Sequence, residues 1–168
     1  MSILKVITGS DNPILLTMSD SVTKVDRSIK GLILDMKDTL SKKNGLGLAA
    51  PQVGKNIRVI LVALQKGVKL GEDYLVLTMI NPEILSFSEE TDIAEEGCLS
   101  LPKLFLPVRR SVKIKVRFEN DKGVDQVLVL EGINARIVQH EVDHLNGILI
   151  TQRNAELNAS LESTGLLM

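Results

Sequence analysis

The spacing of apolar and polar positions changes period several times along the chain, and each change predicts an element. Between residues 23 and 43, Ile29, Leu32, Ile33, Met36 and Leu40 recur at offsets 0, 3, 4, 7 and 11. That is the spacing of one buried face on an amphipathic helix. Asn44-Gly45 ends it, because both residues accept the left-handed conformation. Residues 58–64 and 75–80 are nearly continuous apolar runs of strand length, the second closed by Asn81-Pro82, and residues 84–88 read as a short strand. Residues 112–118 alternate strictly, as in a strand with one buried and one wet face. Asn120-Asp121-Lys122-Gly123 turns that strand back toward residues 127–130 in an antiparallel hairpin.

Residues 132–149 return to the helical period, with two stripes. Ile133 and Ile137 continue the line of His140 and His144 at offsets 0, 4, 7 and 11, while Val138, Val142, Leu145 and Leu149 make a second, rotated line. A helix with two such stripes is buried on two sides. Its histidine face has an apolar wall toward the N-terminus, suited to an aliphatic substrate group, and Asn146-Gly147 loosens its end.

Other stretches carry weaker patterns. Residues 1–22 read as an irregular arm with a strong turn at Gly9-Ser10-Asp11-Asn12-Pro13. Residues 45–54 are a run of small residues that cannot continue the first helix past Pro51, and small side chains let a backbone or ligand come close. A polar segment, 89–96, leads into a loop at Gly97-Cys98-Leu99-Ser100-Leu101-Pro102. The tail, 151–168, is polar and ends in Leu166-Leu167-Met168, read as a final strand or turn, or as a frayed end. Strands outnumber helices and lack crossover helices between them. The expected class is α+β, one domain over residues 1–168, with antiparallel or mixed sheets packed around a central metal-binding helix.

Composition narrows the function classes. With 168 residues and 44% apolar content the chain has enough material for one real core. Twenty basic and 21 acidic residues give a net charge of −1, so neither nucleic acid nor an anionic membrane is the expected partner. Aromatic content of 2% leaves little for stacking bases or sugars. No cationic apolar leader opens the sequence and no apolar run has membrane-spanning length, which makes the cytoplasm the expected location. A lone cysteine excludes an internal disulfide and leaves a thiol free for metal binding or packing.

The chemistry concentrates in Gln139-His140-Glu141-Val142-Asp143-His144, which holds both histidines of the chain. Four residues apart on a helix, the two imidazoles stack on one face and can share a metal ion, while a glutamate directly after the first lies beside that metal, free to handle protons. Catalytic metal sites keep three protein ligands and one open position. The third donor must come from elsewhere. Glu156 is one candidate from downstream and Cys98, the softer donor, is another.

Three motifs in order resemble those of the peptide deformylases: Gly45-x-Gly47-x-Ala49-Ala50-x-Gln52, then Glu96-Gly97-Cys98-Leu99-Ser100, then Gln139-His140-Glu141-x-Asp143-His144. These enzymes remove the N-formyl group from the initiator methionine of new polypeptides and release formate. The resemblance implies that Cys98, His140 and His144 are the metal ligands and that Glu141 is the general acid and base. It also implies that Gln52, through its side-chain amide, and Leu99, through its backbone N–H, donate to the oxygen that becomes negative. The substrate residues it implies are Gly45, Leu46, Gly47, Glu96, Gly97, Ile133, Arg136 and Ile137. Leu46, Ile133, Ile137 and the aliphatic part of Arg136 would surround the methionine side chain. Arg110 is implied to pair with Glu96, and Asp143 to support the helix or a ligand.

One divalent metal ion is expected, Fe(II) by resemblance, although one thiolate and two imidazoles also accept zinc, nickel or cobalt. The expected partners are N-formylmethionyl nascent chains, met by a monomer or weak dimer. Two departures from the family limit the transfer: Phe105 stands where some members carry an arginine, and the tail has Arg153 as its only basic residue. Nearness to the ribosome is therefore not expected to run through a basic C-terminal helix. Two rival readings are a zinc peptidase and a non-catalytic metal-binding or peptide-binding module. The first lacks a downstream histidine, and the second would predict altered Glu141 or Gln52, both of which are intact.

Overall fold

The computed structural model describes residues 2–66 and 74–165. In chain order the elements are α1 (Arg27–Lys43), β1 (Gly47–Ala49), a 3-10 turn (Ala50–Val53), β2 (Val59–Gln65), β3 (Tyr74–Phe87), β4 (Thr91–Cys98), β5 (Leu101–Ser111), β6 (Lys113–Glu119), β7 (Asp125–Glu131), α2 (Gly132–Leu145) and α3 (Ile150–Ser163). Five strands form an antiparallel sheet in the order β1-β2-β3-β6-β7, and β4 and β5 form a separate antiparallel pair. The α+β class follows, with every named strand pair antiparallel.

The continuous apolar run in β2 has a direct cause. Ile60, Val62 and Leu64 face one core, shared with Met79, Ile114 and Val116 and with Ala135, Val138, Val142 and Leu145 of α2. Val59 and Leu61 face a second core, shared with Ile33, Met36 and Leu40 of α1. A strand covered on both faces has no wet side to carry polar residues. A helix therefore lies on each side of the sheet, α2 on one and α1 on the other.

Four expectations need correction. The first helix starts at Arg27 rather than near residue 23, because the Asp26 carboxylate accepts from the N–H groups of Ser28 and Ile29 at 2.9 and 3.0 Å and caps it there. Asn81-Pro82 does not close a strand. β3 runs through it on an irregularity between Ile80 and Glu83, where proline's missing N–H breaks no ladder bond, and Asn81 takes φ 51°.

The segment 89–96 and the loop after it are in fact the hairpin β4–β5, and Cys98 ends a strand instead of sitting in a loop. Along β4 the one fully buried residue is Glu96, so no apolar alternation betrays the strand. The tail forms α3, whose buried residues are Ile150 and Leu157, too few for a helical stripe to be read. Leu166-Leu167-Met168 lies outside the described residues.

The arm, irregular as expected, contributes to a third cluster. Leu15 is fully buried against Leu101, Val108, Leu149 and Ile150. At Gly147 (φ 70°) a Cβ would lie 2.6 Å from the Leu16 carbonyl oxygen, so glycine lets the arm cross the turn between α2 and α3.

Candidate active site

Helix α2 grows directly out of β7, with Gly132 at φ 58° making the corner and its N–H bonded to the Val112 carbonyl at 2.8 Å. Ala135, Val138, Val142 and Leu145 anchor the helix on the sheet. The opposite face meets the β4–β5 hairpin, and Gln139 stitches the two together. Its amide oxygen accepts from Ser111 N–H at 3.1 Å while its amide nitrogen donates to the Ser111 carbonyl at 2.9 Å.

That seam brings the end of β4 to the two histidines. Cys98 Sγ lies 3.3 Å from His144 Nε2, which lies 3.2 Å from His140 Nε2, and one donor atom from each residue falls within 4.8 Å of the others. The rings stand edge to face at 65° with centroids 5.0 Å apart, so both Nε2 atoms turn to the same point. For a four-coordinate ion with bonds of about 2.05 Å to nitrogen and about 2.3 Å to sulfur, tetrahedral geometry separates nitrogen from nitrogen by roughly 3.3 Å and nitrogen from sulfur by roughly 3.6 Å. The donor set fits a divalent metal in type and in spacing. Glu156, the other candidate for a third ligand, is exposed and pairs with Arg153 at 3.1 Å.

The electrostatics favour a cation at the same point. Burial pushes His140 toward neutrality, but its contacts with Cys98 and Glu96 and the charges of Glu141 and Cys98 outweigh this and raise its pKa to about 10. Burial and the neighbouring His140 charge hold His144 neutral, well below its ordinary value. The cluster thus favours one positive charge, and a metal ion that takes the place displaces the proton. His140 Nδ1 rests on Glu96 Oε2 at 2.9 Å, which sets its Nε2 toward the trio, whereas the buried Nδ1 of His144 has no partner among the described residues.

Glu141 is almost fully buried, and among the described residues its Oε2 has no hydrogen-bond partner. Burial, helped by the charges of Glu96 and Asp143 and opposed by His140 and Arg110, lifts its pKa to about 7. A carboxyl group near neutrality can both take and give a proton at cellular pH. Its position depends on β1, since a Cβ on Gly47 would lie 2.1 Å from Glu141 Oε1. The run of small residues therefore accommodates this carboxylate.

Gln52 is oriented by its neighbours. Its Oε1 accepts from Ala49 N–H at 2.8 Å, which leaves Nε2 to donate to Ser100 Oγ at 3.1 Å and to face Cys98 Sγ at 3.6 Å. The arm secures both sides of this contact, with Ile7 N–H on the Gln52 carbonyl at 2.8 Å and Gly9 N–H on the Ser100 carbonyl at 3.0 Å. Leu99 occupies the turn between β4 and β5, and its side chain and that of Leu40 crowd position 45, where a Cβ would sit 3.0 Å from each.

A groove of about 790 Å³ opens over the trio. Gly45, Leu46, Gly47, Gln52, Glu96, Gly97, Cys98, Leu99, Ile133, Arg136, Ile137, His140 and Glu141 all line it, so the structure brings most of the expected site residues to one surface. Gly97 faces Phe105 across the hairpin, and a Cβ there would lie 2.7 Å from the ring. His144, Arg110 and Asp143 stand behind the groove, each almost fully buried.

Beneath the groove the charges form a network. Arg110 donates to both oxygens of Glu96 at 2.9 Å and to Asp143 Oδ2 at 2.5 Å. Burial raises the pKa of Glu96, but hydrogen bonds from His140 and Arg110 and their charges overcome it and hold the carboxyl well below the usual range. Arg136, expected as an aliphatic wall, also pins Glu96 at 2.7 Å through a buried guanidinium that reaches the Val108 carbonyl at 3.0 Å and Asp92. Asp92, Ser100 and Arg153 were not expected at the site. Ser100 lies inside a motif and Arg153 is the single cation of the tail, but Asp92 sits in a polar run with no distinguishing signal.

The family model described as polypeptide deformylase matches residues 3–160. A peptide deformylase of Thermotoga petrophila is 44% identical over 142 residues, 84% of this chain and 82% of its own length. One from Natranaerobius thermophilus is 40% identical over 160 residues, covering 95% and 98%. The crystal structure of a class I type b peptide deformylase from Acinetobacter baumannii with Met-Ala-Ser bound superposes with a TM-score of 0.84 at 39% identity, over 91% of this chain and 99% of that one.

Proposed function

This chain belongs to the polypeptide deformylase family and acts as a metal-dependent hydrolase on formylated nascent peptides, and we propose that Cys98, His140 and His144 hold its metal. The carrying observation is the convergence of that thiol and two ring nitrogens with the carboxyl of Glu141, whose Oε2 has no partner among the described residues, under a groove of about 790 Å³.

A divalent ion in this site supplies Lewis acidity toward the formyl oxygen and makes water a stronger acid. The protein supplies the rest. Glu141 takes a proton from the water that attacks the formyl carbon and hands it to the departing amine nitrogen as the C–N bond breaks, leaving formate and a free N-terminus. Gln52 Nε2 and the Leu99 backbone N–H donate to the oxygen that gains negative charge, each worth on the order of 3 kcal/mol in comparable sites. Leu46, Ile133 and Ile137 receive the methionine side chain beside the stem of Arg136. The backbones at Leu46, Gly47 and Gly97 offer edges on which an extended peptide can pair, with Gly45 leading into them. Arg110 and Asp143 support Glu96 from below.

Iron(II) is the proposed ion in the cell, with zinc, nickel or cobalt able to substitute. A single catalytic domain over residues 1–168, monomeric or weakly dimeric and located in the cytoplasm, completes the reading. Among the described residues no helix is long and apolar enough to cross a membrane. The test is formate release from formyl-Met-Ala-Ser by anaerobically purified, iron-loaded protein beside Glu141→Ala. The wild type is expected to release formate and the variant to retain metal while losing about 10² to 10⁴ in rate. A wild type that binds the metal and releases no formate contradicts the proposal.

A further inference from the structure

Helix α3 reaches the metal centre through one side chain. Arg153 grips Asp143 with two prongs, Nη2 to Oδ1 at 2.6 Å and Nε to Oδ2 at 2.9 Å. Asp143 Oδ2 also holds Arg110 Nη1, Arg110 holds both oxygens of Glu96, and Glu96 Oε2 holds His140 Nδ1. The chain of contacts thus runs from α3 to an imidazole of the trio with no gap. We propose that Arg153 is a positioning residue for the metal centre, acting through Asp143, Arg110 and Glu96 on the ring of His140. This rests on the reading of Cys98, His140 and His144 as the ligands.

Arg110 is the middle of this relay. It is buried between two carboxylates, Glu96 on the groove side and Asp143 on the α3 side. Arg153 is the second cation on Asp143 and shares its charge. Without it, Asp143 has Arg110 as its only ion-pair partner among the described residues and draws that guanidinium away from Glu96. Glu96 then loses part of the two-pronged clamp that fixes the oxygen on which His140 rests. Outer hydrogen bonds of this kind orient a metal-binding imidazole and raise its basicity.

Arg153 is the most exposed of these groups, at 31% of its side chain, and it sits ten residues past Asp143 across the α2–α3 turn. A simple staple between two helices would lock α3 in place and leave the metal indifferent. Positioning predicts a change at the metal itself.

The experiment compares wild type, Arg153→Met, Arg153→Lys and Leu157→Ala, the last removing a buried contact of α3 outside the charge network. Cobalt(II) affinity is measured by chelator competition, and the visible spectrum of the cobalt form reports ligand geometry. R153M is expected to weaken cobalt binding by roughly tenfold, the low end for outer partners of a ligating histidine, and to shift the ligand-field bands. R153K keeps the charge but not the two-pronged contact and is expected to fall between R153M and wild type. Should R153M not fold, R153K carries the test alone.

L157A is expected to lower thermal stability with affinity and spectrum unchanged. Unchanged affinity and spectrum in the Arg153 variants, or the same changes in L157A, overturn the proposal. Cys98→Ala is run alongside: if it binds cobalt as wild type does, the ligand assignment itself falls and the role of Arg153 falls with it.

Discussion

The five-stranded sheet and the β4–β5 hairpin are held together by different forces, and the contrast explains where each is vulnerable. The sheet is packed with aliphatic side chains, on both faces at β2 and on one face at β6, so it rests on many small contacts. The hairpin buries Glu96 and Arg110 where the sheet buries valine and isoleucine, and α2 and α3 supply the balancing charges. Buried charges are stable only in complete sets. The hairpin therefore carries Cys98 and Glu96 to the site on a framework that fails abruptly when one charge is missing.

The largest stability loss should come from breaking that set. Arg110→Met leaves Glu96 and Asp143 short of a cation, with an expected cost of about 3–5 kcal/mol in chemical denaturation and loss of metal binding. Next is Gly47→Ala, which touches neither core nor network. Its methyl group collides with the Glu141 carboxyl, and kcat should fall by about 10² while metal content and stability stay close to wild type.

A smaller, pH-dependent effect separates the regions again. Because the folded-state pKa of Glu96 is depressed, its contribution to stability is full above the ordinary carboxyl value and disappears as pH falls toward the folded value. Thermal unfolding of wild type and Glu96→Gln should differ most at pH 7, and the difference should begin to shrink only as the pH falls below about 4, the reference glutamate pKa, and go on shrinking at lower pH. The smallest effect is expected from Ile60→Val in the sheet, about 0.5–1.5 kcal/mol with metal affinity and kcat unchanged.

The same contrast governs what the sequence revealed. Periodicity exposed α1, α2, β2 and the β6–β7 hairpin because water exclusion dictates their spacing, and β2 read as a solid run because both its faces are covered. It missed β4, whose buried position is a glutamate, and α3, which packs by Ile150 and Leu157 alone. It ended a strand at Asn81-Pro82 because tolerance of proline at an irregular ladder position depends on register, a tertiary property. At the site the spacing of His140, Glu141 and His144 exposed the helical half directly. Cys98 came from a motif whose strand could not be seen. Asp92 and Arg153 stayed hidden because only folding sets them against Arg136 and Asp143.

The central claim is that the end of β4 and one face of α2 close on a single ion, and anomalous diffraction at the metal absorption edge tests it most directly. The account predicts one peak bonded to Cys98 Sγ at about 2.3 Å and to Nε2 of His140 and His144 at about 2.0–2.1 Å. A peak held by other residues, or one that leaves the sulfur out of bonding range, contradicts it.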